Sequence, residues 1–279
     1  MTNEKTQFGN WVSTKLIAVP AVIGLLSAGA AAFVPALAIP AALFLAISAY
    51  FVYARYVFSP RGRDVQRRML ELLVNELPEF EAKCAVLDIG CGSGALALEI
   101  AKRISTVRVA GIDKWGTAWE SSLRICERNA RTVGVAERVS FQAGDAASLP
   151  FEDATFDVVV SNFVFHEVHS VRDKCELLRE ALRVLKPGGA FVFQDLFLWR
   201  RVYGPIDELI GALRNWGMTD VEFIDTSRSP FIPPALKLPF MVGTAGVLHG
   251  RKQTAGRVSS GADASHDTQQ ELEASRLPR

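Results

Sequence analysis

The sequence predicts an α/β protein with a doubly wound parallel sheet, preceded by an all-α two-helix transmembrane hairpin. Two observations support this prediction. Short apolar runs alternate with helical stretches from residue 83 to about residue 250, the pattern of a parallel sheet with helices on both faces. Before them, no charged residue occurs between Leu16 and Ala54, a run of 39 positions.

The composition excludes several classes of protein. The chain has 279 residues, of which 49% are hydrophobic and 22% are charged, so it is not a disordered chain. A net charge of +1 without a basic cluster gives no footprint for nucleic acid. The four cysteines show no C-x-x-C pair and no histidine at zinc-like spacing. We therefore expect neither a disulfide framework nor a metal site.

The uncharged run is too long for one membrane span. A straight helix of this length would measure ~59 Å, about twice the hydrocarbon thickness of a bilayer. Pro35 and Pro40 lie at its middle and interrupt it, because proline removes a backbone donor and clashes with the preceding turn. Splitting there predicts two arms, Leu16–Val34 and Pro40–Phe58, each ~28 Å long.

The charges that flank the run predict its orientation. Lys5 and Lys15 precede the first arm, five arginines follow Ala54 up to residue 68, and the turn carries no charge. The positive-inside rule then places both ends in the cytoplasm, which predicts a multi-pass protein of the cell membrane. Two other interpretations stay open: a cleaved signal peptide, and an apolar hairpin buried against the soluble domain.

The rest of the chain divides by pattern. We expect a cytoplasmic N-terminus at 1–15, the transmembrane hairpin at 16–58, the α/β domain at 59–250 and a polar, disordered tail at 251–279. Seven apolar runs predict strands: Ala85–Ile89, Arg108–Ile112, Val139–Ala143, Phe156–Ser161, Ala190–Gln194, Val221–Asp225 and Thr244–His249. Five stretches predict helices: Gly62–Leu77, Ala95–Arg103, Thr117–Val133, Arg172–Leu185 and Ile206–Trp216.

A glycine loop follows the first strand of the domain. The stretch VLDIGCGSG ends at Gly94 and contains Gly90 and Gly92, whose missing side chains let a ligand approach the backbone. Its G-x-G-x-G spacing differs from the dinucleotide fingerprint G-x-G-x-x-G. Asp88 also precedes the loop, and a carboxylate there repels a pyrophosphate but suits an ammonium group.

Polar residues also end the next strands. Asp113 ends the second strand, the position of a ribose-binding carboxylate in a doubly wound sheet. Asp145 follows the third strand, and Asn162 ends the fourth. His166 comes next, in a loop at the ligand-binding edge of the sheet, and is the best candidate for a general base.

In this order, the motifs resemble those of a class I S-adenosylmethionine-dependent methyltransferase with a Rossmann-like fold. They are VLDIGCGSG, GID ending at 113, GD ending at 145, LPF with FDVVVSN, and LKPGG ending at 189. The resemblance covers Lys83 to Gly250 and implies a seven-stranded, mostly parallel sheet with an antiparallel last strand. It implies S-adenosyl-L-methionine as the cofactor, bound by Asp88, Gly90, Cys91, Gly92, Gly94, Asp113, Lys114, Trp115, Asp145, Ala146, Asn162 and Phe163.

The resemblance also implies roles for these residues. The glycine loop would face the methionine part of the cofactor, with Asp88 near the amino group, directly or through water. Asp113 would accept hydrogen bonds from the ribose hydroxyls. Lys114 and Trp115 would flank the adenine, and Asp145 and the Ala146 amide would bind its edge. Asn162 and Phe163 would close the pocket near the reacting methyl group, whereas Cys91 is expected to pack rather than to act as a nucleophile.

Several alternatives stay open at this stage. Asp88 can order the loop, Asp113 can cap a helix, Asp145 can be a turn residue, and His166 can be a surface or capping residue. A membrane-tethered module that binds the cofactor without catalysis is the main rival function, and a nicotinamide oxidoreductase is a weaker one. We expect a small-molecule or lipid acceptor, since Phe231 and Phe240 add apolar surface late in the domain. The sequence leaves the oligomeric state open.

Overall fold

The protein is described here from a computed structural model, which covers residues 6–79, 83–115 and 122–254. Its centre is one sheet with the strand order β3-β2-β1-β4-β5-β7-β6. The strands are β1 (Cys84–Ile89), β2 (Val107–Asp113), β3 (Val139–Ala143), β4 (Phe156–Asn162), β5 (Leu185–Asp195), β6 (Met218–Asp225) and β7 (Gly246–Lys252).

The pairing of the strands confirms the predicted sheet. β1 to β5 run parallel to one another, while β7 lies antiparallel between β5 and β6. The strand order reverses between β1 and β4, so a crevice is expected at their carboxyl ends. Each predicted strand is present. β5, however, begins five residues earlier than expected, because Leu185 already pairs with Phe156 before an irregularity in the ladder.

Eight helices surround the sheet or precede it within the described residues. They are α1 (Thr14–Ala30), α2 (Ala38–Phe58), α3 (Val65–Asn75), α4 (Ala95–Arg103), α5 (Leu123–Thr132), α6 (Lys174–Arg183), α7 (Arg200–Tyr203) and α8 (Ile206–Asn215). The predicted helix at 117–133 is thus present from Leu123, and its first residues lie outside the described part of the chain.

Side chains along each strand point alternately to the two faces of the sheet, and each face carries its own hydrophobic core. In β1, Leu87 and Ile89 face the core covered by α6, α7 and α8, whereas Val86 faces the core covered by α3, α4 and α5. Both faces of the sheet are therefore buried, which explains why its central strands are almost continuously apolar.

The N-terminal helices form an antiparallel hairpin. A side chain on Gly24 of α1 would come within 2.9 Å of Leu45 in α2, so the helices approach closely at this glycine. The Ser48 hydroxyl of α2 donates a 3.0 Å hydrogen bond to the Ile17 carbonyl of α1. Residue 17 of α1 lies beside residue 48 of α2, and residue 24 lies beside residue 45, so the two helices run in opposite directions.

The bounds of the hairpin differ from the predicted arms. α1 ends at Ala30, four residues before Val34. Pro40 lies in the first turn of α2 rather than breaking it, because the first backbone donors of a helix have no intrahelical partner. The connection between the helices is thus 31–37 and includes a short 3-10 turn at Pro35–Leu37.

In the described part of the chain, the segment Pro35–Phe58 alone is long and apolar enough to cross a membrane. Thr14–Ala30 is a shorter apolar helix of 17 residues. Only 11% of the apolar window in the longer segment is buried, and side chains such as Leu26 of α1 are more than 70% exposed. The interpretation of the hairpin as a buried part of the soluble core is therefore wrong.

Among the described residues, the hairpin packs on the domain mainly through the last turns of α2. Ala54, Val57 and Phe58 of α2 are fully buried with Met69 of α3 and Leu196, which follows β5. We call this the base cluster; its other buried members are Val12, Val65, Ile232, Leu236, Val242 and Ala245. It fixes the end of α2 beside the carboxyl ends of the central strands.

The last strand corrects one boundary. β7 continues through Lys252, whose ammonium group donates to the carbonyls of Leu182 and Leu185. The ordered domain therefore extends past the expected end at Gly250. The rest of the expected tail, from residue 255, lies outside the described residues, and the other domain limits stay predictions.

Candidate functional site

The glycine loop between β1 and α4 leaves one open position. Gly90, Gly92 and Gly94 all have positive φ, at 69°, 55° and 82°. A side chain on Gly90 would lie 2.2 Å from Val164, and one on Gly94 would lie 2.9 Å from Phe141. Nothing lies within 4 Å of the corresponding position on Gly92. A ligand can thus approach the backbone at Gly92, while the other two glycines satisfy packing.

Asp113 binds this loop to the end of β2. Its carboxylate accepts a 2.8 Å hydrogen bond from the Gly92 amide and a 2.7 Å bond from the Trp115 amide. The indole nitrogen of Trp115 donates in turn to the Gly92 carbonyl at 2.8 Å. A carboxylate offers about four acceptor positions, so Asp113 keeps capacity for the hydroxyls of a ribose. The predicted residues Gly92, Asp113 and Trp115 therefore form one connected unit.

The ends of β2 and β3 meet in an ion pair. Lys114 lies 3.0 Å from one Asp145 oxygen, and the other oxygen accepts a 2.9 Å bond from the Ala147 amide. The Ala147 bond, followed by the Lys114 ammonium, lowers the pKa of Asp145. Ala146 lies between them, partly buried against the core. The structure thus brings the predicted adenine-binding residues to one edge.

Asp88 lies beneath the loop rather than in the crevice. Its side chain is 1% exposed and accepts a 3.1 Å bond from the Ala97 amide in the first turn of α4. Burial raises the pKa of Asp88 to about 8, an effect reduced by the Ala97 bond and increased by the charge of Asp113. In this arrangement the Asp88 side chain anchors the first turn of α4, and its predicted role near a cofactor amino group stays a prediction.

Cys91 is a packing residue. It is 7% exposed, and its amide donates to the Ile112 carbonyl at 3.0 Å. A hydrogen bond with Cys126, together with burial, raises the pKa of the Cys91 thiol. Because the thiolate is the nucleophilic form of cysteine, this environment suits structure rather than covalent catalysis.

The end of β4 carries unpaired polar atoms. Asn162 pairs with Gln194 in the ladder, and its side-chain oxygen is buried without a hydrogen-bond partner among the described residues. The amide nitrogen and oxygen of the Gln194 side chain are also buried without a hydrogen-bond partner among the described residues. An unsatisfied buried group costs about 1–3 kcal/mol, which favours a site that a bound polar molecule completes. This is consistent with cofactor binding beside Asn162.

His166 forms a pair with a residue that the sequence analysis missed. Its Nδ1 lies 2.6 Å from an Asp195 oxygen at the end of β5. Asp195 is fully buried and also accepts bonds from the amides of Phe165 and Leu196. Burial lowers the pKa of His166, but the charge and hydrogen bond of Asp195, with a smaller effect of Glu167, outweigh it and raise the pKa to about 10. The sequence signal that could have revealed Asp195 is its position, since an acidic residue at the carboxyl end of a parallel strand lies at the ligand-binding edge of the sheet.

A second missed element is the segment before the hairpin. The Gln7 amide donates to the Asn129 side chain at 2.8 Å, and Asn129 donates to the Ser93 carbonyl of the glycine loop at 3.0 Å. Further along, the Trp11 ring packs on Phe163 with ring centroids 4.8 Å apart. The segment 7–11 therefore runs from the glycine loop to the end of β4.

This segment is also fixed from the side of the hairpin. Gln66 of α3 donates to the Gly9 carbonyl at 3.0 Å and accepts from the Trp11 amide at 3.2 Å. The Arg55 guanidinium of α2 donates to the Val12 carbonyl. Positioning of Phe163 thus depends on residues outside the α/β domain, which no strand or loop motif of the domain can reveal.

Part of the chain is similar to known methyltransferases. Residues 80–215 match the family model described as a methyltransferase domain. The 27-O-demethylrifamycin SV methyltransferase of Amycolatopsis mediterranei is 35% identical over 135 residues, which is 48% of this chain and 46% of that protein. A sterol 4-C-methyltransferase of Caenorhabditis elegans is 30% identical over 129 residues, 46% of this chain and 36% of that protein. The chain thus spans less than half the length of these relatives.

Solved structures agree on the fold. The geranyl diphosphate C-methyltransferase of Streptomyces coelicolor A3(2), solved with S-adenosyl-L-homocysteine, superposes with a TM-score of 0.51 at 15% identity. The match covers 69% of this chain and 81% of that protein. This likeness shows a Rossmann-like fold, and residues 80–215 are similar to a methyltransferase domain.

Proposed function

We propose that this chain transfers a methyl group from S-adenosylmethionine to a small or lipophilic acceptor while the hairpin holds it at a membrane. One observation carries the cofactor part of the proposal. Asp113, Gly92 and Trp115 are bound to one another at the carboxyl ends of the strands, and Gly92 leaves its outer side open. That arrangement lets an amino-acid moiety approach the loop closely at Gly92 and offers a carboxylate to a ribose.

The remaining roles follow from position. Asp145 and the Ala146 amide would bind the edge of the adenine, and the Lys114 ion pair would close over it. Asn162 and Phe163 would lie beside the reacting methyl group. Asp88 would act indirectly, because it anchors the helix that follows the glycine loop. When bound, the cofactor supplies a methyl group on a sulfonium, and displacement by the acceptor leaves the C–S electron pair on sulfur.

The protein would contribute mainly alignment. Displacement at an activated methyl group needs the acceptor in line and water excluded. His166 can accept the acceptor's proton only as a neutral imidazole, and the pKa of about 10 keeps it protonated at neutral pH. We therefore assign His166 to positioning at the end of β4, and the acceptor would lose its proton to solvent.

The hairpin and the base cluster support a membrane location and an apolar acceptor. The sides of α1 and α2 that do not face each other expose large apolar side chains, which a bilayer would cover. The base cluster includes Phe163 and Trp199 at its partly buried edge, so apolar surface continues from α2 to the candidate methyl site. The sterol relative named above is a precedent for an apolar acceptor.

A two-stage experiment tests the function. The full-length protein in nanodiscs should bind S-adenosylmethionine in calorimetry and should transfer labelled methyl groups into the organic phase of a membrane lipid extract. The Asp113→Ala variant serves as the control that lacks the ribose contact. Absence of binding would contradict the site itself, and binding without transfer to lipid or aqueous extracts would favour the non-catalytic module.

A substitution of His166 tests the assigned mechanism. If His166 positions the site, His166→Ala should lower turnover by a few-fold and leave cofactor affinity unchanged. If it is the general base, turnover should fall by about 10²–10⁴-fold. The pH profile gives an independent reading, since an essential neutral imidazole requires activity that increases with pH up to about 10. A loss beyond a hundredfold at normal affinity would prove the positioning role wrong.

A further inference from the structure

Large apolar side chains are exposed at two places in the described part of the chain. Most belong to the hairpin and the residues just before it. The other place is the loop between β6 and β7, where Leu238 is 37% exposed and Phe240 is 53% exposed. No other described residue of the α/β domain exposes a large apolar side chain to this extent. Such a pair on an otherwise polar domain indicates contact with an apolar partner.

The loop is ordered around these two residues. The Leu236 amide donates to Pro233, and the amides of Met241 and Gly243 both donate to the Leu238 carbonyl. A side chain on Gly243 would lie 2.3 Å from the Lys237 backbone, so this turn leaves no room for a residue other than glycine. Leu238 and Phe240 are therefore held outward by the backbone and are not the tip of a disordered segment.

The loop lies beside α2, which favours membrane lipid as the apolar partner of Leu238 and Phe240. Its inner residues Ile232, Leu236 and Val242 are buried in the base cluster against α2. The Tyr50 hydroxyl of α2 donates a 3.0 Å hydrogen bond to the Ala235 carbonyl of the loop. Tyr50 lies eight residues before the end of α2 at Phe58, which is ~12 Å along the helix axis. The Ala235 end of the loop thus lies beside the last turns of the candidate membrane span.

Exposed cations occur in the loop and just after α2. Lys237 in the loop and Arg61 just after α2 are exposed, and Arg228 at the start of the loop is 88% exposed in its side chain. Apolar side chains beside flexible cations are typical of a protein surface that lies in the interface of an anionic membrane. A docking site for a soluble protein would not need to lie beside the membrane-facing helix α2, as this loop does.

We propose that Leu238, Pro239 and Phe240 insert into the bilayer beside α2, at the boundary between headgroups and acyl chains. This second contact rests on the proposed membrane location of the hairpin. It adds a contact between the α/β domain and the lipid surface beside the one made by the hairpin.

Spin labelling tests the insertion in the full-length protein. Cys84 and Cys175 are replaced by serine, and single cysteines carrying a nitroxide are placed at Phe240, at Val52 on the exposed side of α2, and at Glu152 on an exposed loop before β4. In nanodiscs with anionic lipid, the ratio of collisions with oxygen to collisions with a water-soluble nickel chelate measures depth. The label at 240 should show a severalfold higher ratio than the label at 152.

The label at 52 distinguishes a failure of the loop insertion from a failure of the membrane hairpin. A high ratio at 52 with a low ratio at 240 would overturn the insertion and leave the membrane hairpin intact. Low ratios at both positions would overturn the hairpin and the insertion together. Spin–spin broadening at 240 that disappears on dilution with unlabelled protein would show that a second copy of the chain, and not lipid, covers the loop.

Discussion

At the scale of single residues, Asp113 has the largest expected effect on cofactor binding. Asp113→Ala removes two backbone hydrogen bonds that hold Gly92 and Trp115, and it removes the proposed ribose contacts. Charge-assisted bonds are each worth about 1.5–3 kcal/mol, so calorimetry should show a loss of affinity of at least about tenfold. Asp207→Ala on α8 is the matched control and should bind normally. Unchanged affinity in Asp113→Ala would remove this residue from the site.

His166 is the residue whose titration the structure specifies. NMR of the imidazole, assigned with His166→Gln, should show a proton retained past pH 8, because Asp195 outweighs the effect of burial and raises the pKa of His166 to about 10. In Asp195→Asn the same proton should be lost at a clearly lower pH, since burial then acts against Glu167 alone. A normal titration in the unmodified protein would contradict the pair.

The same pair makes stability depend on pH. The folded pKa of His166 lies above the value of 6.5 in the unfolded chain, so its contribution is fully present below pH 6.5. That contribution decreases as the pH rises and is lost once the pH passes about 10. Denaturation of His166→Gln should show a smaller decrease over this range.

At the scale of elements, the hairpin depends on one close approach. Gly24→Leu should separate α1 from α2, because even a first side-chain carbon would lie 2.9 Å from Leu45. Gly29→Leu on the same helix is the matched control, since nothing lies within 4 Å of that position. Disulfide cross-linking between cysteines introduced at Ile17 and Ser48 measures the contact. Equal cross-linking in both variants would show that the helices do not pack at Gly24.

The segment before α1 is the element that connects the hairpin to the site. Trp11→Ala removes the ring contacts with Phe163 and Phe58, at 4.8 and 5.6 Å between centroids. Phe163 then loses its cover, and we expect a raised KM for the acceptor with little change in cofactor affinity. Trp11→Phe keeps an aromatic ring and should be near normal. An unchanged KM in Trp11→Ala would separate this segment from acceptor binding.

At the scale of the whole molecule, the testable feature is topology. Basic residues flank both ends of the uncharged run, so both termini are expected in the cytoplasm. A reporter active only outside the cytoplasm should give no signal when it is fused to Arg279. The same reporter inserted after Ala32, in the connection between the helices, should give a signal. A signal from Arg279 would contradict a hairpin with two spans.

The sequence determined the sheet and which polar residues lie at the carboxyl ends of its strands. Apolar runs of strand length and the glycine loop are local patterns, and the carboxyl ends of parallel strands meet wherever such a sheet forms. Asp113 and Asp145 therefore reach one edge as predicted. The direction of β7 was implied by the family resemblance, not by local pattern, and the ladder shows it antiparallel.

Only the tertiary structure decided how the site is completed. The burial of Asp88 depends on how α4 docks, because its side chain accepts a hydrogen bond from the Ala97 amide of that helix. Asp195 lies 29 residues from His166, and Trp11 lies 152 residues from Phe163, so no spacing rule connects either pair. Local sequence determines which residues end a strand, whereas burial and long-range contacts depend on the packing of distant elements. That packing sets the protonation of His166 and the cover over Phe163.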